Sequence, residues 1–199
     1  LPILRDREVD FITDQADSRL LVVPSRWKGF DHEAMALAIA ERQGRDMRVL
    51  VSDRALPQGD PTRLPERAEP LDMADQPVRW IFYTSGTTAE PKAVVLRHRH
   101  LAAYVITSIE FASADDDATA LIGVPPYHIA GVANTITSVY STRRFVYLPT
   151  FSPAAWLDLV RTEAVTHAFL VPTMLARVVD ELDGAPADAP DLRALSYGG

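Results

Sequence analysis

The 199-residue sequence has no cysteine, so it cannot carry a disulfide framework, and this favours a reducing, cytoplasmic setting. No stretch approaches the roughly 18 consecutive apolar residues of a membrane span. The opening residues, Leu1 to Asp10, mix charged and apolar side chains and do not read as a secretory signal. Positive charge is also short: 20 Lys and Arg stand against 27 Asp and Glu, a net charge of −7, which argues against broad binding to a nucleic-acid backbone. What is present is the balance of a soluble globular protein, with 47% apolar and 24% charged residues. The chain opens on Leu1 rather than methionine and stops at Gly198-Gly199, directly after the apolar run Ala194 to Tyr197. It therefore reads as an internal piece of a longer chain.

Short apolar runs alternate with helical stripes. Strands are expected at Leu20–Val23, Arg48–Val51, Trp80–Tyr83, Ala93–Leu96, Ala120–Val124, Phe145–Leu148 and His167–Leu170. Asp31 is a helix N-cap, followed by a stripe of Met35, Ala38 and Ile39 that ends near Gly44. Ser152-Pro153 is a second helix start, with Trp156, Leu159 and Val160 on one face. Met174, Leu175, Val178, Val179 and Leu182 form a third stripe. This alternation predicts an α/β fold with mixed, largely parallel sheets layered with helices. Residues 53–78 hold five prolines and many charges, and read as a long surface connection. Residues 183–191 read as a shorter loop.

The segment Tyr83-Thr84-Ser85-Gly86-Thr87-Thr88-Ala89-Glu90-Pro91-Lys92 has a distinct chemistry. An apolar strand runs into small residues, four of them with hydroxyls. Gly86 admits a close backbone approach, and a lysine follows before the next strand. Hydroxyls, bare amides and one lysine on a strand-to-strand loop suit a polyanion such as a triphosphate. The segment is not a Walker A loop, because Pro91 precedes Lys92 and Ala93 follows it. A polar surface hairpin without a ligand has the same residue types.

The ten-residue string resembles the signature of the adenylate-forming superfamily, which contains acyl-CoA synthetases, luciferases and adenylation domains of peptide synthetases. Its pattern, Tyr-Thr-Ser-Gly-Thr-Thr-Gly-x-Pro-Lys-Gly-Val, is matched at Tyr83 through Thr88, Pro91, Lys92 and Val94. Alanine replaces the usual glycine at Ala89 and Ala93. A second match is Val124-Pro125-Pro126-Tyr127-His128-Ile129-Ala130-Gly131, similar to the family's Pro-x-aromatic-His-x-x-Gly segment. Taken alone, a Tyr-His pair at a strand end also fits a packing or capping role. Weaker matches are Val171-Pro172-Thr173, the terminal Leu192 to Gly199, and Leu96 to Leu101, whose basic run reads as a solvated helix entry. The Asp115-Asp116-Asp117 run reads as a solvated turn, and His32 and His167 as structural.

The resemblance implies that residues 1–199 are the incomplete interior of a large N-terminal AMP-binding domain, without the C-terminal lid domain. It implies ATP-dependent activation of a carboxylic acid to an acyl-adenylate, then transfer to coenzyme A. Thr84, Ser85, Gly86, Thr87, Thr88 and Lys92 would bind the ATP phosphates, with Thr88, Lys92 and His128 as the catalytic set. Tyr127, His128, Gly131, Gly198 and Gly199 would border the acyl and adenylate pocket. Mg²⁺ and coenzyme A are implied, with the metal's acidic ligand beyond residue 199 and no metal site within the chain. Amino-acid-activating relatives carry an aspartate near His128, whereas no acid occurs between Leu121 and Tyr140. An uncharged wall suits a fatty, alicyclic or aryl acid without an ammonium group. Lacking the family's later parts, the piece itself is expected to be inactive. The alternatives are an enzyme that loads a carrier protein, and a non-catalytic module that binds a nucleotide or a protein partner.

Overall fold

A computed structural model describes residues 4–54, 56–63, 78–84 and 91–198. The chain divides into two units, Leu1–Asp75 with Tyr83–Val94, and Gln76–Phe82 with Val95–Gly199.

The first unit opens with helix α1 (Asp6–Gln15), followed by strand β1 (Leu20–Val23), the short antiparallel pair β2 (Arg26–Trp27) and β3 (Phe30–Asp31), helix α2 (His32–Gln43) and strand β4 (Arg48–Val51). β1 and β4 pair in parallel, Leu20 opposite Arg48 and Val23 opposite Val51. Helix α2 begins where the sequence predicts. The Asp31 carboxylate accepts the Ala34 amide at 2.9 Å, and Gly44 closes the helix in the left-handed conformation at φ 60°. Met35, Ile39 and Met47 form the buried core, with Val9, Leu21, Phe30 and Ala40 packed around it.

Helix α1 is not foreseen by apolar spacing, because its outer face is held by charge. Arg42 binds Asp6 and Asp10, Arg45 binds Asp14 and Asp17, and the Gln43 amide donates to Asp10 and Thr13. These partners lie about thirty residues away in sequence.

Strands β5 (Val78–Thr84) and β6 (Lys92–Arg97) form a two-stranded sheet on either side of the hydroxyl-rich segment. Both are longer than their apolar cores suggest.

The second unit continues with α3 (His98–Ser108), β7 (Thr119–Ile122), α4 (Ile129–Tyr140), β8 (Arg144–Tyr147), α5 (Pro153–Thr162), β9 (His167–Leu170), α6 (Pro172–Leu182) and β10 (Ala194–Tyr197). Its four-stranded sheet runs β10-β9-β7-β8 and is parallel throughout. Every residue of β7 is buried, as expected for a central strand covered on both faces. Leu121, Ala168 and Leu170 meet Trp156 and Val160 of α5 and Val178 of α6 in one core. Helix α4 packs on β7 and β8, and α3 packs on α4. Strand β10 is the exposed edge of the sheet.

At the amino ends of the strands, the buried Thr166 hydroxyl accepts the Thr119 amide at 2.9 Å. Arg193 ties Asp115 and Asp117 to the start of β10. The triple-aspartate run is thus a turn with a fixed cation, although the two carboxylates remain largely exposed.

Candidate active site

The order of strands marks a place for a ligand before any side chain is considered. From β7 the chain passes to β8 on one side, and then to β9 and β10 on the other. In open parallel sheets the crevice at the carboxyl ends beside such a reversal is the usual binding site. A cavity of about 490 Å³ lies there, within the range of small-molecule sites. Phe169 and Val171 from the end of β9 and Gly198 after β10 line one side. Helix α4 contributes Ile129, Ala130, Ala133 and Ile136, which recur at helical spacing on one face. The segment entering α3 and its first turns supply Leu96, His100, Leu101 and Tyr104. No Asp, Glu, Lys or Arg is among these lining residues.

His128 lines the cavity as the N-cap of α4. After β7, the Gly123 to Tyr127 segment turns back so that the His128 amide donates to the Pro125 carbonyl at 3.0 Å. The His128 Nδ1 then accepts the Ala130 amide at 3.3 Å. An imidazole whose Nδ1 accepts carries its hydrogen on Nε2 when neutral. The capping role and the pocket role are therefore filled by the same ring. The cap fixes the tautomer and leaves Nε2–H as a donor for the ligand space.

Gly131 does not line the cavity. It is buried against the turn before α4, where a Cβ would lie 2.8 Å from the Pro125 carbonyl carbon and 3.0 Å from the Pro126 Cα. Only a residue without a side chain lets α4 start this close to the double proline. Tyr127 is 45% exposed and is likewise not among the lining residues. Gly198 lines the cavity, while Gly199 lies outside the described residues.

The hydroxyl-rich segment is flanked by Thr84, the exposed last residue of β5, and by Lys92, the exposed first residue of β6. Ser85, Gly86, Thr87 and Thr88 lie outside the described residues. Tyr83 is partly buried, with its hydroxyl 3.5 Å from the Ile12 carbonyl, and burial pushes its phenol pKa upward. Among the described residues no three His, Cys, Asp or Glu side chains converge on a metal site. No described helix is long and apolar enough to cross a membrane.

The family described as AMP-binding enzyme matches residues 1–199. The chain belongs to that family. It is 29% identical to a 2-hydroxy-7-methoxy-5-methyl-1-naphthoate–CoA ligase of Streptomyces carzinostaticus over 100% of this chain and 38% of the relative. It is 35% identical to a fatty acid–[acyl-carrier-protein] ligase of Streptomyces coeruleorubidus over 66% of this chain and 26% of the relative. The chain thus spans well under half the length of these relatives. The ATP-bound structure of MatB from Rhodopseudomonas palustris superposes with a TM-score of 0.75 at 23% identity, covering 99% of this chain and 38% of that one, which shows the shared AMP-binding-enzyme fold.

Of the residues expected at the site, His128 and Gly198 line this cavity, while the α3 wall was not among the expected residues. The signal was present in the four-residue spacing of His100 and Tyr104, but the basic residues around His100 made the segment read as a solvated helix entry.

Proposed function

We propose that this chain is part of the N-terminal domain of an enzyme that joins a carboxylic acid to ATP, releases pyrophosphate and passes the acyl group to a thiol. The observation that carries this reading is the cavity at the carboxyl edge of the parallel sheet, walled by apolar residues and neutral donors. It suits an uncharged acyl body, because burying an unpaired charge there would be costly. The carboxylate would lie by His128, whose Nε2–H can hold one oxygen while the other attacks the α-phosphorus. The bond between the α-phosphorus and the bridging oxygen then breaks, and pyrophosphate leaves. Thr84, Ser85, Gly86, Thr87, Thr88 and Lys92 would orient the β- and γ-phosphates and offset their charge, which is how proteins most effectively assist phosphorus chemistry. Tyr127 would stand at the entrance, and Gly198 and Gly199 would let the acyl group lie against backbone.

Coenzyme A is the proposed acceptor, in line with the naphthoate–CoA ligase relative. The similarity to a fatty acid–[acyl-carrier-protein] ligase supports a carrier protein as the second reading. Incubating the pre-formed acyl-adenylate and full-length enzyme with each thiol separates the two. The cytoplasm is the proposed location, since a cysteine-free chain suits a reducing compartment.

The test of activation is acid-dependent exchange of labelled pyrophosphate into ATP. The full-length enzyme should catalyse it, and Lys92→Ala should lower it on the order of a hundredfold or more. The 199-residue chain alone should not catalyse it. Robust exchange by the chain alone would overturn the proposed need for further parts.

A further inference from the structure

The cavity has a direction, and two elements fix it independently. Strands β7 and β8 are parallel neighbours, so α4, which joins them, runs back along the sheet from its carboxyl edge. His128 and Ile129 open the helix at that edge, and Ile129 is 44% exposed. Ala133 and Ile136 follow on the cavity wall and are partly buried. At 1.5 Å per residue they lie about 7.5 Å and about 12 Å further along the helix than His128. Strand β9 gives the same sense. Its Ala168 and Leu170 are buried in the core with α5 and α6, so Phe169 between them points to the opposite face of the sheet, where it lines the cavity. Val171 lines the cavity just beyond the end of the strand, and Phe169 lies two residues deeper. Ile136 and Phe169 are therefore the inner end of the cavity, and His128 stands at its mouth. Between them the α4 wall carries only the small side chains of Ala130 and Ala133, which leave the middle open.

Resting on the adenylation reading above, we infer that α4 sets the length of the acyl body: Ala133 admits it past the middle of the cavity, and Ile136, with Phe169, stops it. With the carboxylate beside His128, the room along α4 is about 12 Å. An extended chain advances roughly 1.2 Å per bond, so about eight to ten carbons fill that room. Each methylene that enters leaves water for an apolar wall and raises kcat/KM about fourfold. Carbons beyond Ile136 gain no such contact and must displace side chains or fold back towards the mouth. Both residues at the inner end are apolar, so length and not polarity decides which acid is taken.

The experiment measures acid-dependent pyrophosphate exchange by the full-length enzyme with straight-chain acids from butyrate to hexadecanoate, and with benzoates carrying 4-alkyl chains of increasing length. In the series that the enzyme uses, kcat/KM should climb to about the length of decanoate and fall beyond it. Ala133→Leu fills the middle of the cavity. It should lower the use of decanoate on the order of ten- to a hundredfold, spare butyrate, and bring the optimum to about six carbons. Ile136→Ala should do the opposite and raise the use of dodecanoate over decanoate, a gain that a merely structural role does not produce. Where Ala133→Leu lowers the thermal midpoint, Ala133→Val adds less bulk at the same place and should shift the optimum in the same direction. An optimum that neither variant moves, an equal loss with every acid in a variant of unchanged midpoint, or a wild-type optimum at butyrate or at hexadecanoate would each overturn the inference while leaving adenylation standing. No exchange with any acid would overturn the adenylation reading, and this inference with it.

Discussion

Replacing Gly131 by alanine sets two physical effects against each other, and the sign of the outcome decides between them. Gly131 lies inside α4, where alanine is intrinsically the better helix former by about 1 kcal/mol. If the position were open, Gly131→Ala would stabilise the protein. The structure places the new Cβ inside contact distance of the Pro125 carbonyl group and 3.0 Å from the Pro126 Cα. These are backbone atoms of a proline pair and cannot rotate away, so α4 or the turn must move. Overpacking of this kind costs about 3 kcal/mol, at the upper end of its usual range because the obstacle is backbone. The net loss is about 2 kcal/mol, which for a chain of this size lowers the thermal midpoint by roughly 4–8 °C. Differential scanning calorimetry on wild type and variant measures it. An unchanged or raised midpoint would refute the packing role of Gly131. Gly198→Ala is the control: nothing lies within 4 Å of its added Cβ, and its midpoint should stay within about 1 °C.

Three further outcomes are expected. Leu170→Ala removes a side chain with no exposed surface and should cost about 2–5 kcal/mol in urea denaturation; a cost below about 1 kcal/mol would contradict the core assignment. Replacing His128 by alanine should cost only about 1 kcal/mol of stability as a lost cap, yet lower pyrophosphate exchange far more; equal small effects on both would reduce His128 to a cap. Burial, reinforced by Arg5 at His32 and by Arg143 and Arg193 at His167, holds both imidazoles below the ordinary 6.5. The unfolded chain therefore binds more protons below that pH, so stability is full above it and falls as pH drops through 6.5 towards the folded values. The urea midpoint should be lower at pH 5.5 than at pH 8, and His167→Gln should shrink the difference. An equal or higher midpoint at pH 5.5 would refute this.

The parts of the fold legible in the sequence are those fixed by local chemistry. Asp31 and Gly44 bracket α2, and Ser152-Pro153 opens α5 with the Ser152 hydroxyl accepting the Ala155 amide at 3.2 Å, because a cap needs only its own neighbours. The buried strands β7 and β9 declare themselves as short apolar runs. Helix α4 was not legible. It contains glycine, asparagine and two threonines, poor helix formers, and is held by packing on β7 and β8. Asn134, Thr135 and Thr137 turn their side chains back onto carbonyls one turn earlier. Helix α1 depends on Arg42, Gln43 and Arg45, whose positions no local pattern reveals. The site divides in the same way. His128 and Gly198 stood out through motifs, whereas His100, Tyr104, Ile136 and Phe169 meet only when the sheet brings three helix and strand ends together.

Acid-dependent pyrophosphate exchange into ATP tests the central claim most directly. The account predicts exchange by the full-length enzyme with an uncharged-body carboxylic acid, no exchange without the acid, and a loss on the order of a hundredfold or more in Lys92→Ala. Exchange that ignores Lys92→Ala, or no exchange with any carboxylic acid, would contradict it.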